Sequence, residues 1–382
     1  MPSPKSPKKT VARKAARLKS TTATVKKNVP RTTLKKSSAA KTSARKTATR
    51  KVKSAPAPAQ KAFRLNEKLF AAARIAVKDC MDVRPGETVT IITDENKRNI
   101  GVALWQAAKE LGAEAMLAEM TPRSRNGEEP PAPIAALMAA SSVVLCPTTK
   151  SVTHTEARRQ ACARGARIAT LPGITEDMMI RCLSADYQAI AARSRKLSDE
   201  LQRGDLVRVT SPAGTDITLR RGDRYPKPDT GLYHEAGNSG NLPAGETFFA
   251  PIEGSAQGHI VFEAAVAGIG KLQQTIHIVV RDGMAVEITG GSEAEKLNEL
   301  VDGVGPDGRN LAELGIGTND QAQITGVILE DEKVMGTVHF ALGDNKSMGG
   351  TVAVSSHLDG LILQPTVYVD GRMIMEAGKL LV

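Results

Sequence analysis

The chain has 382 residues, and its 52 Lys and Arg against 41 Asp and Glu give a formal net charge of +11. This excess is local, because residues 1–62 contain 19 basic and no acidic residues, so the rest of the chain carries a net charge of −8. The overall basicity is therefore no argument for nucleic-acid binding by the body of the protein, and the absence of any stretch of about 18 apolar residues excludes a membrane span.

Residues 1–62 are predicted to be a disordered Lys/Ala-rich tail that ends in a Pro/Ala linker at 54–60. The segments SPKSPKK and ARKAARLK resemble the basic tails of histone-like proteins. Such a tail binds DNA or RNA non-specifically through phosphate charge, although a merely solubilising or localising extension has the same composition. It lacks the apolar core of a secretory signal, and we expect a cytoplasmic protein, with association with the nucleoid as an open alternative.

Residues 63–203 are predicted to form an α/β domain, in which helices at 64–82, 98–112, 131–140 and 153–164 alternate with apolar strands. Apolar strands between helices are typical of a parallel sheet that is covered on both faces, which makes three layers. The four cysteines lack CxxC spacing and are predicted to be reduced core residues: Cys80, Cys146, Cys162 and Cys182. Neither GxGxxG nor GxxxxGKS occurs, so a nucleotide site is not expected, and His154 is interpreted as a cap or surface residue.

After a helix at 186–202, residues 204–382 change to short alternating strands and Gly-rich turns, with a helical insertion at 292–302. This pattern predicts a mostly antiparallel, turn-rich α+β domain. Segments such as TIHIVVRDG, QITGVIL and VYVDGRM are predicted strands. Asp282 and Asp370 precede glycine in hairpin turns, which explains them better than catalysis does.

Four segments of this second domain contain the residue types of a metal site. They are NLPAGETFFAP with Glu246, LAELGIGTN with Glu313 before a Gly-rich loop, GTVHFALGDN with His339, and SSHLDG with His357 and Asp359. His357 and Asp359 point to the same side of an extended segment. Imidazole and carboxylate without thiolate are typical ligands of a hydrolytic divalent-metal centre.

With these four motifs in order, most of 64–382 resembles the metallo-aminopeptidases typified by aminopeptidase T and aminopeptidase S, which are leucyl aminopeptidase-like enzymes. The resemblance implies a two-domain fold, a homodimer, and a pair of divalent ions such as Zn, Co or Mn. Its ligands would be Glu246, Glu313, His339, His357 and Asp359. We therefore expect an aminopeptidase that releases N-terminal residues from short peptides with a metal-activated water, with Glu313 as proton shuttle.

Two departures from the aminopeptidase pattern fall at the site. Lys346 stands where that family has a tyrosine, and the segment between His339 and the HLD motif is shorter.

Two other functions stay open. A mononuclear iron(II) ring-cleaving dioxygenase needs two His and one carboxylate, which His339, His357 and Asp359 would supply. A catalytically lapsed, nucleoid-associated protein needs only the tail. His277 is interpreted as structural, whereas His234 and Glu235 could line a substrate cleft.

Overall fold

The computed structural model describes residues 66–382, which belong to one compact unit. The predictions of a disordered tail and of tail-borne nucleic-acid binding concern residues outside this part of the chain. No helix within 66–382 combines the length and the apolar character that crossing a membrane requires. The predicted domain boundary after residue 203 falls between a helix and a strand and stays a prediction.

Eight α-helices occur in the described part of the chain, and four of them begin at a side chain that caps the first turn. Thr155, Thr175 and Asp186 each accept a hydrogen bond from a backbone N–H two or three residues ahead. The helices are α1 (Glu67–Arg74, continued by a π-helix at Ile75–Cys80), α2 (Arg98–Glu110), α3 (Ala132–Ala140), α4 (Glu156–Ala163), α5 (Glu176–Cys182), α6 (Tyr187–Gln202), α7 (Gly291–Asp302) and α8 (Ile328–Asp331), with 3-10 helices at Pro306–Arg309 and Lys346–Met348.

Within residues 66–382, twenty strands form three sheets. In chain order they are β1 (Thr88–Asp94), β2 (Glu114–Met120), β3 (Val143–Thr148), β4 (Arg167–Pro172), β5 (Leu206–Thr210), β6 (Asp216–Arg220), β7 (Lys227–Asp229), β8 (Ser239–Asn241), β9 (Glu246–Phe249), β10 (Gln257–Phe262), β11 (Ala265–Val266), β12 (Gly270–Lys271), β13 (Ile276–Arg281), β14 (Met284–Thr289), β15 (Leu311–Gly317), β16 (Val338–Gly343), β17 (His357–Ile362), β18 (Thr366–Val369), β19 (Arg372–Glu376) and β20 (Lys379–Leu380).

The first sheet is parallel, with the strand order β2-β1-β3-β4-β8. Successive residues of β3 point to opposite faces, so Val143 and Leu145 pack in one core while Val144 and Cys146 pack in another. Helices therefore cover both faces, and the predicted three-layer α/β arrangement is confirmed. All four cysteines are free.

The other two sheets are antiparallel, with orders β14-β13-β10-β6-β5-β18-β19-β20 and β12-β11-β17-β16-β15-β9-β7. Apolar residues of both sheets share one core, for example Val207 and Ile278 from the former and Leu314 and Phe340 from the latter. This confirms the predicted turn-rich second half. Because alternate residues of a strand face opposite ways, the remaining side chains of the β9-β15-β16-β17 group face away from this core.

Two local predictions are wrong. The segment QITGVIL is not a strand, because the carboxylate of Asp331 accepts hydrogen bonds from the backbone N–H groups of Thr325 and Gly326 and folds the segment into a turn before α8. The Gly-rich residues after Glu313 are not a loop but the end of β15, which runs to Gly317.

Candidate metal centre

The five predicted ligands lie on four adjacent strands of the third sheet. Glu246 begins β9, Glu313 lies in β15, His339 in β16, and His357 and Asp359 in β17. The register sets Glu313 and Asp359 on either side of Ala341, whose small side chain leaves the space between them open. The structure thus brings all five residues into one cluster on the face opposite the core.

Gly315 makes room for one of these side chains. It pairs with His339 across the sheet, and a Cβ atom at this position would lie 2.8 Å from Cδ2 of the imidazole and still closer to its Nε2. Ordinary contact begins at 3.4 Å, so only glycine fits beside this ring. This close approach explains why a glycine stands inside a buried strand.

The first half of the cluster consists of Glu246, Glu313 and His339, all buried. Nε2 of His339 lies 3.1 Å from Oε2 of Glu246 and 3.4 Å from Oε1 of Glu313. Oε2 of Glu246 and both ring nitrogens of His339 lack a hydrogen-bond partner within residues 66–382. Buried polar atoms without partners are uncommon, and a proton or a metal ion would complete them.

The second half consists of Glu313, His357 and Asp359. Nε2 of His357 lies 3.0 Å from Oε2 of Glu313 and 3.5 Å from Oδ1 of Asp359. The side chain of His357 is 29% exposed, whereas the two carboxylates are buried, so this half opens outward at the histidine. Glu313 belongs to both halves.

A backbone carbonyl orients His357. Nδ1 of the ring lies 2.7 Å from the carbonyl oxygen of Asp344, which can only accept, so Nδ1 carries a proton and donates it. In the neutral ring the lone pair is then on Nε2, which faces the carboxylates. This is the usual arrangement of a metal-binding histidine held by a second hydrogen bond.

The carboxylates control the charge of both histidines. Burial alone would lower the pKa of His339, but contacts with Glu246 and Glu313 raise it well above its ordinary value. Burial would likewise lower the pKa of His357, but Asp359 and Glu313 raise it well above its ordinary value. Burial would raise the pKa of Glu313, yet the two imidazoles lower it. The cluster therefore has a strongly negative field that attracts a proton or a cation.

Lys333 is a buried lysine beside the cluster that is not among the residues predicted from the sequence. Its Nζ lies 2.6 Å from Oε1 of Glu246, 2.6 Å from Oε1 of Glu332 and 4.0 Å from Oδ2 of Asp229. Burial would lower its pKa, but these acids raise it well above the ordinary value, so the ammonium is charged. A lysine in the acidic run LEDEKV reads as a surface residue, and the sequence contains no signal that its side chain turns inward.

The remaining candidates are not part of the cluster. His154 is close to it, and partial burial and the charge of His357 lower the pKa of His154. Lys346 is exposed in a 3-10 helix, and His154 is exposed before α4. Nε2 of His234 lies 2.8 Å from the carbonyl oxygen of Asp79, and that of His277 lies 3.1 Å from the hydroxyl of Thr275, so each has a local partner.

Both turn assignments agree with the structure. Asp282 and Asp370 have positive φ and precede glycine between antiparallel strands.

The residues present fit a divalent metal ion. Ligand atoms bound at about 2.0–2.2 Å and at right-angled to tetrahedral angles lie roughly 2.8–3.6 Å apart, and the histidine–carboxylate contacts of the cluster span 3.0 to 3.5 Å. Nitrogen and carboxylate donors suit iron, zinc or manganese. The triad His339, His357 and Asp359 does not meet as one group; Glu313 joins His357 and Asp359 instead.

Comparison with known proteins agrees with this picture of a metal enzyme. The family model of NicX, 2,5-dihydroxypyridine 5,6-dioxygenase, matches residues 68–382. A 2,5-dihydroxypyridine 5,6-dioxygenase of Pseudomonas putida is 26% identical over 217 residues, which are 53% of this chain and 59% of the relative. The chain thus spans well under two thirds of that relative's length.

Two solved structures share the fold. The 2,5-dihydroxypyridine dioxygenase from Pseudomonas putida KT2440 has a TM-score of 0.71 at 20% identity, covering 82% of this chain and 97% of its own. Wild-type AmpT from Thermus thermophilus has a TM-score of 0.62 at 18% identity, covering 84% and 100%. The resemblance to aminopeptidase T thus holds for the fold. The family match contradicts the predicted hydrolytic function, so the assignment as an aminopeptidase is wrong.

Proposed function

Because the chain belongs to the 2,5-dihydroxypyridine 5,6-dioxygenase family, we propose that it is an iron-dependent dioxygenase that opens the ring of a hydroxylated pyridine. The observation that carries the proposal is the group of Glu313, His357 and Asp359, which share one open-sided cluster. The substrate named for the relative, 2,5-dihydroxypyridine, is the first candidate.

In this proposal one iron(II) ion is held by Glu313, His357 and Asp359. The protein side supplies an imidazole nitrogen and two carboxylates, and an ion with three protein ligands keeps positions free for other molecules. When bound, iron(II) supplies the redox chemistry through which dioxygen reacts with an aromatic ring. Two carboxylates and one histidine differ from the more familiar two histidines and one carboxylate, which makes Glu313 the distinctive ligand.

The chain's own residues position and shield this site. Asp344 fixes the direction of His357 through its carbonyl group, and His339 contacts the far oxygen of Glu313. Glu313 and Asp359 are buried, so water reaches the cluster mainly from the side of His357. A planar ring entering from that side would meet a rigid set of donors on adjacent strands, where precise placement is easiest to maintain.

The proposal is tested by oxygen uptake. The protein is loaded anaerobically with iron(II) and mixed with 2,5-dihydroxypyridine and its positional isomers in air-saturated buffer. We expect oxygen consumption in step with the loss of the aromatic absorption band, and no such reaction in His357→Ala. A folded, iron-loaded protein that leaves all of these rings intact would contradict the proposal.

A further inference from the structure

A buried ammonium group, that of Lys333, lies next to the half of the cluster in which a second metal ion would bind. The two halves of the cluster share Glu313, and a shared carboxylate is what a pair of metal ions uses as a bridge. Distances alone would allow an ion in each half. The halves differ, however, in their surroundings, because only the half that contains Glu246 contacts Lys333.

Lys333 is held in this position by its surroundings. Its side chain is 2% exposed, and it follows α8, where its backbone N–H donates to the carbonyl of Glu330. The ammonium group donates to Glu246 and Glu332 at 2.6 Å. A lysine so buried and paired has little freedom to move away, since leaving would remove the donor from the buried carboxylate of Glu246 and from the partly buried carboxylate of Glu332.

The hydrogen bond from Lys333 leaves only one carboxylate oxygen of Glu246 available to bind a metal ion. One carboxylate oxygen, Oε1, accepts from Lys333, and the other, Oε2, faces His339 at 3.1 Å. A dication bound between Oε2 and His339 would therefore lie within one carboxylate width of a fixed positive charge. Like charges at such a distance repel strongly in a buried, weakly screened site.

We propose that Lys333 limits the centre to a single metal ion, bound by Glu313, His357 and Asp359, by supplying in the Glu246 half the positive charge that a second ion would otherwise bring. Lys333 is a positioning residue in this scheme and touches no reacting atom. The inference rests on the proposed metal site, but it concerns the number of ions and holds or fails separately from ring cleavage.

The test counts metal ions without using activity. The metal-free protein, Lys333→Met, Lys333→Gln and Lys333→Arg are titrated with Mn²⁺ and followed by elemental analysis and electron paramagnetic resonance, which detects coupling between neighbouring ions. We expect one ion per chain in the unmodified protein and in Lys333→Arg. In Lys333→Met or Lys333→Gln we expect two coupled ions. The affinity for the second ion should be at least about ten-fold higher than the affinity of the unmodified protein for a second ion.

The neutral variants differ in their risk of unfolding. Methionine leaves Glu246 and Glu332 without a donor, whereas glutamine can still donate to them. Circular dichroism identifies the folded variants. Two ions in the unmodified protein would overturn the inference without any variant, and so would a folded neutral variant that binds only one. An inactive protein with the expected ion counts would refute the proposed function alone.

Discussion

The sharpest structural prediction concerns Gly315→Ala, which should displace His339 without altering any polar group. Position 315 lacks a positive φ, so alanine is allowed by the backbone. Its Cβ would nevertheless lie 2.8 Å from Cδ2 of His339 and closer to Nε2, where ordinary contact begins at 3.4 Å. The imidazole must therefore move by about 1 Å or more, in a buried site where overpacking costs about 1–3 kcal/mol.

That shift reaches the metal through Glu313, which Nε2 of His339 contacts at 3.4 Å. Loss of a residue that supports a metal ligand typically weakens metal binding about 10–100-fold. We therefore expect Gly315→Ala to lose that much iron(II) affinity, measured by anaerobic competition with a chelator, and about 1–3 kcal/mol of stability in urea.

Gly204→Ala is the matched control for this prediction. Its Cβ would lie 2.6 Å from Cγ1 of Val369 and still closer to Oδ2 of Asp370, in a region that contains none of the five clustered residues. It should lose stability on the same scale and keep its iron affinity. Equal iron affinity in Gly315→Ala and the unmodified protein would refute the reasoning.

Three further predictions concern a ligand, an ion pair and the tail. Glu313→Gln should lower iron(II) affinity more than about 100-fold, whereas Glu246→Gln should retain the ion; equal metal loss by elemental analysis would contradict the assignment. Arg167 donates two hydrogen bonds to Glu87, at 3.0 and 2.8 Å. Burial alone would raise the pKa of Glu87, but these bonds lower it below its ordinary 4.5. Glu87→Gln should therefore cost about 1–2 kcal/mol at pH 7. The stabilisation by this ion pair is present above pH 4.5 and is lost as the pH falls through the lower folded-state pKa of Glu87. The free energies of unfolding of the unmodified protein and of Glu87→Gln, measured in urea, should therefore converge in acid. A difference between them that stays constant with pH would disprove this. Removing residues 1–62 should abolish DNA binding and its salt dependence and leave catalysis intact; DNA binding by the shortened protein would assign it to the body instead.

The full set of five candidate ligands followed from the resemblance to the aminopeptidases, but the shared orientation of His357 and Asp359 was predictable from the sequence itself, because strand periodicity is local. His357 and Asp359, two residues apart in a strand, must face the same way, and the structure places them so. The alternation of helices with apolar strands likewise predicted a parallel sheet around β1. Both predictions depend only on residues that are close together in the sequence.

What could not be predicted depends on contacts between distant segments. Lys333 contacts Glu246, which lies 87 positions earlier in the chain. No local sequence pattern indicates that a lysine between acidic residues is buried. The same holds for the chemistry: Glu246, Glu313 and His339 have the residue types of a hydrolytic centre, so residue type alone favoured a peptidase. The pairing of Lys333 with Glu246, which distinguishes the two halves of the centre, appears only in three dimensions.

The most direct test of the proposed ring cleavage measures whether oxygen atoms from dioxygen enter the product. The iron(II)-loaded protein is allowed to react with 2,5-dihydroxypyridine under ¹⁸O₂, and the product is analysed by mass spectrometry. Ring cleavage by a dioxygenase predicts a ring-opened product that contains both atoms of the labelled molecule, and no such product from His357→Ala. A product that takes its new oxygen from water, or an unchanged ring with the iron bound, would contradict the central claim.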